Sequence, residues 1–357
     1  MQSRFTQLLM QWHLQENDRS MPWKGEKDPY KIWLSEVILQ QTRVAQGLAY
    51  YERFIKKYPT IGKLAKAADQ EVFKLWEGLG YYNRCRNLLH TARQVTNSRN
   101  GVFPDSYEEI LALKGVGPYT AAAIASFAYD LPYAVVDGNV FRVLSRFFGM
   151  DEPIDSAKGK QLFAQLAGQV LDTERPGAYN QAIMDFGALV CKPFAPGCSH
   201  CPLQTGCAAF AEGRVNELPV KEKTLQRRHR WFYYFLFEHE GKLLVHERSA
   251  KDIWQNLYEF YLLESGERIH WDEKAVKRWA KEQLGIRNAV IKSISPLMQQ
   301  QLTHQQIRGQ FIWLQTDSIP ASLQKHKWQP VKVLHKLPYP RFITQYLEKA
   351  GLRPQTG

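Results

Sequence analysis

The chain has 357 residues, which is enough for two domains that each bury a core of their own. Lysine and arginine (47) outnumber aspartate and glutamate (35), and the formal net charge of +12 favours a polyanionic partner such as nucleic acid. The sequence contains neither a long apolar span nor the apolar core of a signal peptide, so we expect a cytoplasmic protein that binds no membrane.

The first two thirds of the sequence predict a helical domain. Apolar residues recur at helical spacing in residues 5–12 and 72–79, and no strand pattern interrupts the region. Ser106 and Glu109 form a capping-box pattern ahead of a further apolar run. We therefore predict an all-α domain over residues 1–214.

Two carboxylates in this domain are candidate catalytic groups. Glu36 lies within the apolar run 32–39, where burial would raise its pKa and suit a general acid; the alternative is an exposed helix glutamate. Asp137 precedes Gly138, in a pattern that is also typical of a helix N-cap. Together, two such groups can break an N-glycosidic bond, because one protonates the leaving group while the other stabilises the sugar cation.

An enzyme that acts on a base within a duplex must first extrude that base from the stack. The candidate wedging or stacking groups in this sequence are Gln41, Leu79, Tyr81 and Tyr82. Aromatic residues close to glycines are also common in protein cores, and this alternative stays open.

Residues 113–121, Leu-Lys-Gly-Val-Gly-Pro-Tyr-Thr-Ala, predict a helix-hairpin-helix turn. Gly115 and Gly117 permit a tight turn that can approach a phosphate, and Pro118 suits the first position of the next helix. With Val116 they offer backbone donors that grip DNA without reading its sequence. A Gly-x-Gly pattern alone indicates only a tight turn.

Four of the five cysteines fall in one short segment with the spacing C-x6-C-x2-C-x5-C: Cys191, Cys198, Cys201 and Cys207. Their thiolates could hold one [4Fe–4S] cluster, whereas zinc modules usually show two close ligand pairs and only Cys198 and Cys201 are paired here. Four ligands fill the coordination sphere. This favours a structural or redox centre over a hydrolytic metal, which needs an open position.

A second domain is predicted after a basic linker over residues 215–230. The aromatic run 231–237, followed by Gly241 and an apolar triplet, predicts a β-hairpin. Further strands are predicted at 260–263 and 310–314, and helices at 272–284 and 340–349. The predicted domain over residues 231–357 is therefore α+β.

The sequence contains Met-Pro-Trp at 21–23, Trp-Leu-Ser-Glu-Val-Ile-Leu-Gln-Gln-Thr-Arg at 33–43, Gly-Leu-Gly-Tyr-Tyr at 78–82 and Val-Asp-Gly-Asn-Val at 136–140. In order with the hairpin and the cysteines, these motifs resemble those of the adenine DNA glycosylases, within the helix-hairpin-helix superfamily that includes endonuclease III. The resemblance covers nearly the whole chain.

The resemblance implies that Glu36 protonates adenine at N7 and assists the incoming water, while Asp137 stabilises or traps the sugar cation. Tyr119 and Asn139 would support them. Lyase members of the superfamily have a lysine where this chain has Tyr119, and a phenol cannot form a Schiff base. The resemblance thus implies a monofunctional enzyme that leaves an abasic site. Its implied DNA contacts are Trp23, Gln41, Thr42, Arg43, Leu79, Tyr81, Gly115, Val116 and Gly117.

The chain also departs from the family pattern. Lys24 replaces the arginine of Pro-Trp-Arg, which keeps the charge but loses forked hydrogen bonding. Leu302-Thr303-His304 stands where the family has Phe-Ser-His, so Thr303 and His304 are the expected contacts to 8-oxoguanine.

The second domain resembles the Nudix-like C-terminal domain of the family, which checks for 8-oxoguanine opposite adenine. Only Glu282 is acidic in residues 275–285, so we expect no magnesium-dependent pyrophosphatase activity.

The expected partner is duplex DNA containing adenine opposite 8-oxoguanine or guanine. We expect a nucleoid-associated monomer, with replication or repair proteins as possible further partners. Two alternatives stay open: a bifunctional glycosylase/lyase for oxidised pyrimidines, and a non-catalytic iron–sulfur redox sensor that binds DNA.

Overall fold

The computed structural model describes residues 2–222 and 226–354. The chain divides into two compact units, Met1–Lys66 with Arg86–Thr224 and Ala67–Cys85 with Leu225–Gly357. Part of the predicted linker, residues 223–225, lies outside the described residues.

The described part of residues 1–224 is helical and contains no strand, as predicted. Its helices are α1 (Gln2–Gln15), α2 (Pro29–Leu39), α3 (Val44–Lys57), α4 (Ile61–Ala65), α5 (Asp69–Trp76), α6 (Tyr82–Arg99), α7 (Tyr107–Leu111), α8 (Pro118–Tyr129), α9 (Gly138–Phe148), α10 (Ala157–Val170), α11 (Pro176–Leu189) and α12 (Ala208–Ala211).

Side-chain caps define several helix starts in the first unit. Asp28 accepts a hydrogen bond from the Tyr30 amide ahead of α2, with Pro29 at the first helical position. The Ser106 side chain accepts from the Glu109 amide ahead of α7, as the capping-box pattern predicts. Helix α8 is rich in buried alanine and packs against α2, α7 and α11, because small side chains let helices approach closely.

The second unit contains an eight-stranded sheet in its described residues, with strand order β3-β2-β1-β7-β5 along the main path. Its elements are β1 (Arg228–His239), β2 (Lys242–Glu247), β3 (Tyr258–Glu259), β4 (Tyr261–Ser265), α13 (Glu273–Leu284), β5 (Ala289–Ile294), β6 (Met298–Gln301), β7 (Gln305–Thr316), β8 (Lys327–Pro330) and α14 (Arg341–Lys349). Strands β1 and β7 pair in parallel, whereas the other pairs are antiparallel. The predicted α+β class and the predicted hairpin are confirmed.

Two segments differ from the sequence-based expectation. Strand β1 begins at Arg228, so the last residues of the predicted linker belong to the sheet. Arg230 is buried there because its guanidinium pairs with Asp252 and Glu264, each at 2.6 Å. Residues 67–85 were expected in the helical domain but group with the second unit.

The structure also bears on membrane insertion. Among the helices of residues 2–222 and 226–354, none combines the length and the hydrophobicity that a membrane span requires.

Candidate active site

A cavity of about 920 Å³ opens in the first unit. All four predicted catalytic residues line it, together with four of the predicted DNA contacts: Glu36, Tyr119, Asp137 and Asn139, with Trp23, Gln41, Thr42 and Arg43. This volume is typical of a small-molecule site, so the cavity is large enough to receive a single base.

Glu36 lies on the buried face of α2 with only 8% of its surface exposed. Burial raises its pKa to about 7, the nearby charge of Asp137 adds to this rise, and a hydrogen bond from Tyr119 opposes it. The prediction that burial raises the pKa of this carboxyl is confirmed. A carboxyl group with a pKa near neutrality keeps a proton that it can donate.

Asp137 caps the N-terminus of α9. Its Oδ1 accepts hydrogen bonds from the amides of Asn139 at 2.9 Å and Val140 at 2.8 Å, and its Oδ2 accepts from Asn139 Nδ2 at 2.8 Å. Burial raises the pKa of Asp137, while these hydrogen bonds and the charge of Arg142 lower it. The N-cap interpretation is confirmed, and it is compatible with a catalytic role because the same bonds fix the carboxylate in the cavity.

Tyr119 lies at the first turn of α8, where its hydroxyl is hydrogen-bonded to Glu36 and is affected by the charge of Asp137. Burial raises the pKa of its phenol well above the ordinary value, and the charges of Glu36 and Asp137 add to the rise. The hydroxyl oxygen also lies 3.5 Å from Met184 Sδ. It therefore stays protonated and acts as a hydrogen-bond donor at the cavity wall.

Sequence reasoning missed Arg142, a buried residue of α9. Its guanidinium donates to Asn139 Oδ1 at 2.8 Å, to the Gly187 carbonyl at 2.6 Å and to the Cys191 carbonyl at 2.7 Å. Arg142 therefore orients the Asn139 side chain, which donates a hydrogen bond to Asp137. An arginine within the apolar run of α9 was the available signal, because charged residues are rarely buried without partners.

A second missed residue, Asp185, is a fully buried carboxylate on α11. It accepts from Arg19 Nη1 at 2.8 Å, Asn17 Nδ2 at 2.9 Å and Lys24 Nζ at 3.3 Å. Lys24, which stands where the family has arginine, also donates to the Arg19 carbonyl at 2.8 Å. The single ammonium group thus reaches two acceptors, and Lys24 is fixed at the cavity.

The hairpin forms as predicted between α7 and α8. Gly115 has φ 81°, and an added Cβ there would lie 2.7 Å from Asn87, so conformation and space both require glycine. Gly117 is the N-cap residue of α8. The Val116 side chain is buried and its amide donates to the Leu113 carbonyl, so this residue holds the turn itself together.

The second unit brings together two other predicted residues. The hydroxyls of Tyr81 and Thr303 are hydrogen-bonded, and Tyr81 is 44% exposed. His304 is exposed beside Thr303. Leu79 is only 6% exposed, so its side chain is part of the packed interior.

The four clustered cysteines follow α11 and precede α12, and none of them forms a disulfide. Arg146 Nη1 approaches Cys191 Sγ at 3.5 Å. Burial raises the pKa of Cys201 to about 11, and the charges of the other three cysteines add to the rise. Four thiols are a suitable donor set for an iron–sulfur cluster. However, the described residues contain no assembled group of three or more His, Cys, Asp or Glu that could hold a metal ion, so the cluster stays a prediction.

Comparison with known proteins agrees with this architecture. The sequence profile described as HhH-GPD superfamily base excision DNA repair protein matches residues 34–168, and the NUDIX domain profile matches residues 232–349. A thermostable thymine-DNA glycosylase shares the fold with a TM-score of 0.55 and 29% identity over 59% of this chain and 97% of that chain. A non-covalent endonuclease III–DNA complex gives a TM-score of 0.51 at 22% identity, over 60% of this chain and 98% of that chain. The chain is therefore a DNA glycosylase of the HhH-GPD superfamily.

Curated relatives define the family more narrowly. The adenine DNA glycosylase of Buchnera aphidicola subsp. Acyrthosiphon pisum is 33% identical over 258 residues, which are 72% of this chain and 73% of that protein. The adenine DNA glycosylase of Rattus norvegicus is 44% identical over 228 residues, which are 60% of this chain and 44% of that protein. The chain belongs to the adenine DNA glycosylase family.

The raised pKa of Glu36 predicts a pH-dependent stability. The folded chain binds the Glu36 proton more tightly than the unfolded chain, so this contribution is complete below the ordinary pKa of 4.5 and is lost as pH rises through about 7. Glu36→Gln should therefore gain unfolding free energy relative to wild type between about pH 5 and about pH 8 in urea titrations. The exposed control Glu52→Gln should show no such gain. The prediction would be contradicted if the unfolding free energies of Glu36→Gln and wild type differed by the same amount at about pH 5 and at about pH 8.

Proposed function

We propose that this enzyme removes adenine mispaired with 8-oxoguanine, and also adenine opposite guanine, by flipping the base into the cavity and leaving an abasic site. The observation that most strongly supports this proposal is the presence of buried Glu36 and partly buried Asp137 in one cavity, with the pKa of Glu36 raised to about 7. The curated relatives of this chain are named adenine DNA glycosylases.

The first step is protonation of the leaving base. Glu36, as the neutral acid, donates its proton to N7 of adenine while the bond between C1′ and N9 breaks and its electron pair leaves with the base. The sugar becomes an oxocarbenium ion. The ionised Asp137 stabilises this cation, because hydrogen bonds from Asn139 and Val140 hold its carboxylate in place.

The second step is the addition of water. After the first step Glu36 is a carboxylate, which accepts a proton from the water as its oxygen bonds to C1′. Glu36 returns to its neutral form, and the products are adenine and an abasic sugar. Atoms and charge balance without a further reactant.

The absence of a lysine at position 119 argues against a lyase step. Tyr119 is a partly buried phenol whose raised pKa keeps it protonated, and a phenol cannot form the Schiff base that strand cleavage requires. Abasic-site formation should therefore be the end of the reaction.

Base flipping is proposed from the location of the acid. Glu36 is buried in a cavity, so it cannot contact a base that remains stacked in a duplex. Trp23 and Gln41 line the same cavity and are the proposed contacts to the flipped base. Thr42 and Arg43 would contact the strand, and the hairpin would hold a phosphate.

Recognition of the opposite base is assigned to the second unit. Tyr81 and Thr303 share a hydrogen bond near exposed His304. Thr303 keeps the hydroxyl of the family's serine, so we propose that Tyr81, Thr303 and His304 contact 8-oxoguanine.

We also propose that Cys191, Cys198, Cys201 and Cys207 hold a [4Fe–4S] cluster. When bound, the cluster would fasten the segment between α11 and α12 and could transfer electrons. No step of base removal is assigned to it.

The excision reaction tests the function. Wild-type protein with end-labelled duplexes should yield alkali-cleavable strands for adenine opposite 8-oxoguanine, and more slowly opposite guanine. No strand should break without alkali, and borohydride should trap no covalent complex. Glu36→Gln and Asp137→Asn should each lower the single-turnover rate at least about 100-fold, while Glu52→Gln stays within about twofold.

Three outcomes would redirect the proposal. Strand cleavage without alkali on oxidised pyrimidines would indicate the bifunctional lyase. Unaltered excision by both carboxylate variants would refute the catalytic assignment. DNA binding without any excision would favour the redox sensor.

Iron analysis tests the cofactor. Protein purified without chelators should be brown and should contain about four iron atoms and four sulfide ions per chain. Cys198→Ser should lose most of this iron, whereas Cys85→Ala, outside the cysteine segment, should keep it. Colourless wild-type protein that contains zinc would contradict the cluster.

A further inference from the structure

The turn between α5 and α6 has an unusual backbone. Gly78, Gly80 and Tyr81 have φ angles of 97°, 73° and 48°, and Tyr81 is the residue proposed above to contact 8-oxoguanine. A tyrosine rarely adopts the left-handed conformation, so contacts elsewhere must hold this one in place.

The start of the turn is fixed by Glu77. Its carboxylate accepts two parallel hydrogen bonds from Arg353, at 2.8 and 2.7 Å, and one from the Tyr339 amide at 3.0 Å. Lys74 Nζ lies 2.9 Å from the same carboxylate and donates to the Leu337 carbonyl at 2.9 Å. The Glu77 and Arg353 side chains are each only 9% exposed.

The end of the turn is fixed by Tyr81 and its neighbours. The Tyr81 hydroxyl is hydrogen-bonded to Thr303, and the guanidinium of Arg84 lies over the rings of Tyr81 and Trp76. Trp76 Nε1 donates to the Gly80 carbonyl at 3.0 Å. The turn is therefore held at both ends within the second unit.

We propose that Arg353 is a positioning residue for lesion recognition, acting through Glu77 on the turn that presents the Tyr81 hydroxyl to Thr303. A paired guanidinium and carboxylate have two bonds and a fixed plane, so they restrict orientation as well as distance. Loss of Arg353 would leave Glu77 buried with fewer partners and would release one end of the turn. The inference rests on the proposed recognition of 8-oxoguanine.

The test is the ratio of single-turnover rates for adenine opposite 8-oxoguanine and opposite guanine, measured with full-length protein below its unfolding temperature. Arg353→Ala should lower this ratio roughly tenfold, chiefly through a slower reaction opposite 8-oxoguanine, and Arg353→Lys should lower it less. The matched control is Lys292→Ala, which removes one positive charge and the 2.7 Å ion pair with Glu238 in the same unit. Its ratio should equal that of wild type.

A double-mutant cycle separates positioning from general loosening. Arg353 and Thr303 act on the same contact, so Arg353→Ala should lower the ratio less in the Thr303→Ala background than in wild type. If Arg353 had only a structural role, Arg353→Ala would slow the reactions opposite 8-oxoguanine and opposite guanine equally and leave their ratio unchanged. Glu77→Gln, which keeps the shape of the side chain, replaces Arg353→Ala if the latter does not fold.

The outcomes distinguish this inference from the proposed function. A wild-type ratio near one would overturn both the proposed recognition of 8-oxoguanine and the positioning role of Arg353. A high wild-type ratio that Arg353→Ala and Glu77→Gln leave intact, or an additive double mutant, would overturn the positioning role alone.

Discussion

This site depends on two carboxylates in one cavity, of which Glu36 is buried and Asp137 is partly buried. Glu36 is buried on α2, and Asp137 faces the same cavity from the N-terminus of α9. Burial raises the pKa of both groups, but Asp137 receives hydrogen bonds from two amides and the Asn139 side chain, which favour its charged form. Different surroundings thus favour the neutral form of Glu36 and the charged form of Asp137, which the proposed mechanism requires.

The fold supplies those surroundings through ordinary structural devices. The cap of α9 fixes Asp137, and the buried Arg142 connects Asn139 to the carbonyl of Cys191. A change in the position of the cysteine segment would therefore alter the hydrogen bonds of Arg142 and, through them, the orientation of Asn139. The buried Asp185 likewise fixes Lys24 at the cavity. The interactions that stabilise the helical unit are the same ones that orient its reactive groups.

Local sequence signals predicted much of this arrangement. An acidic residue in an apolar run indicated a buried Glu36, and the spacing of turn residues indicated the hairpin and the strands. The Glu77–Arg353 pair could not be predicted, because its partners are 276 residues apart and meet only in the folded chain. The burial of Leu79 depends on tertiary packing in the same way. Membership of residues 67–85 in the second unit follows from such long-range contacts.

In the proposed reaction, a neutral Glu36 donates the proton that releases the base. The pH dependence of kcat/KM for adenine excision opposite 8-oxoguanine tests it most directly, because this constant reports groups of the free enzyme. If Glu36 is this acid, the rate should fall as pH rises, with a midpoint near its pKa of about 7, while the residual rate of Glu36→Gln shows no such fall. A wild-type rate that stays constant or increases across this range would show that Glu36 is not the proton donor.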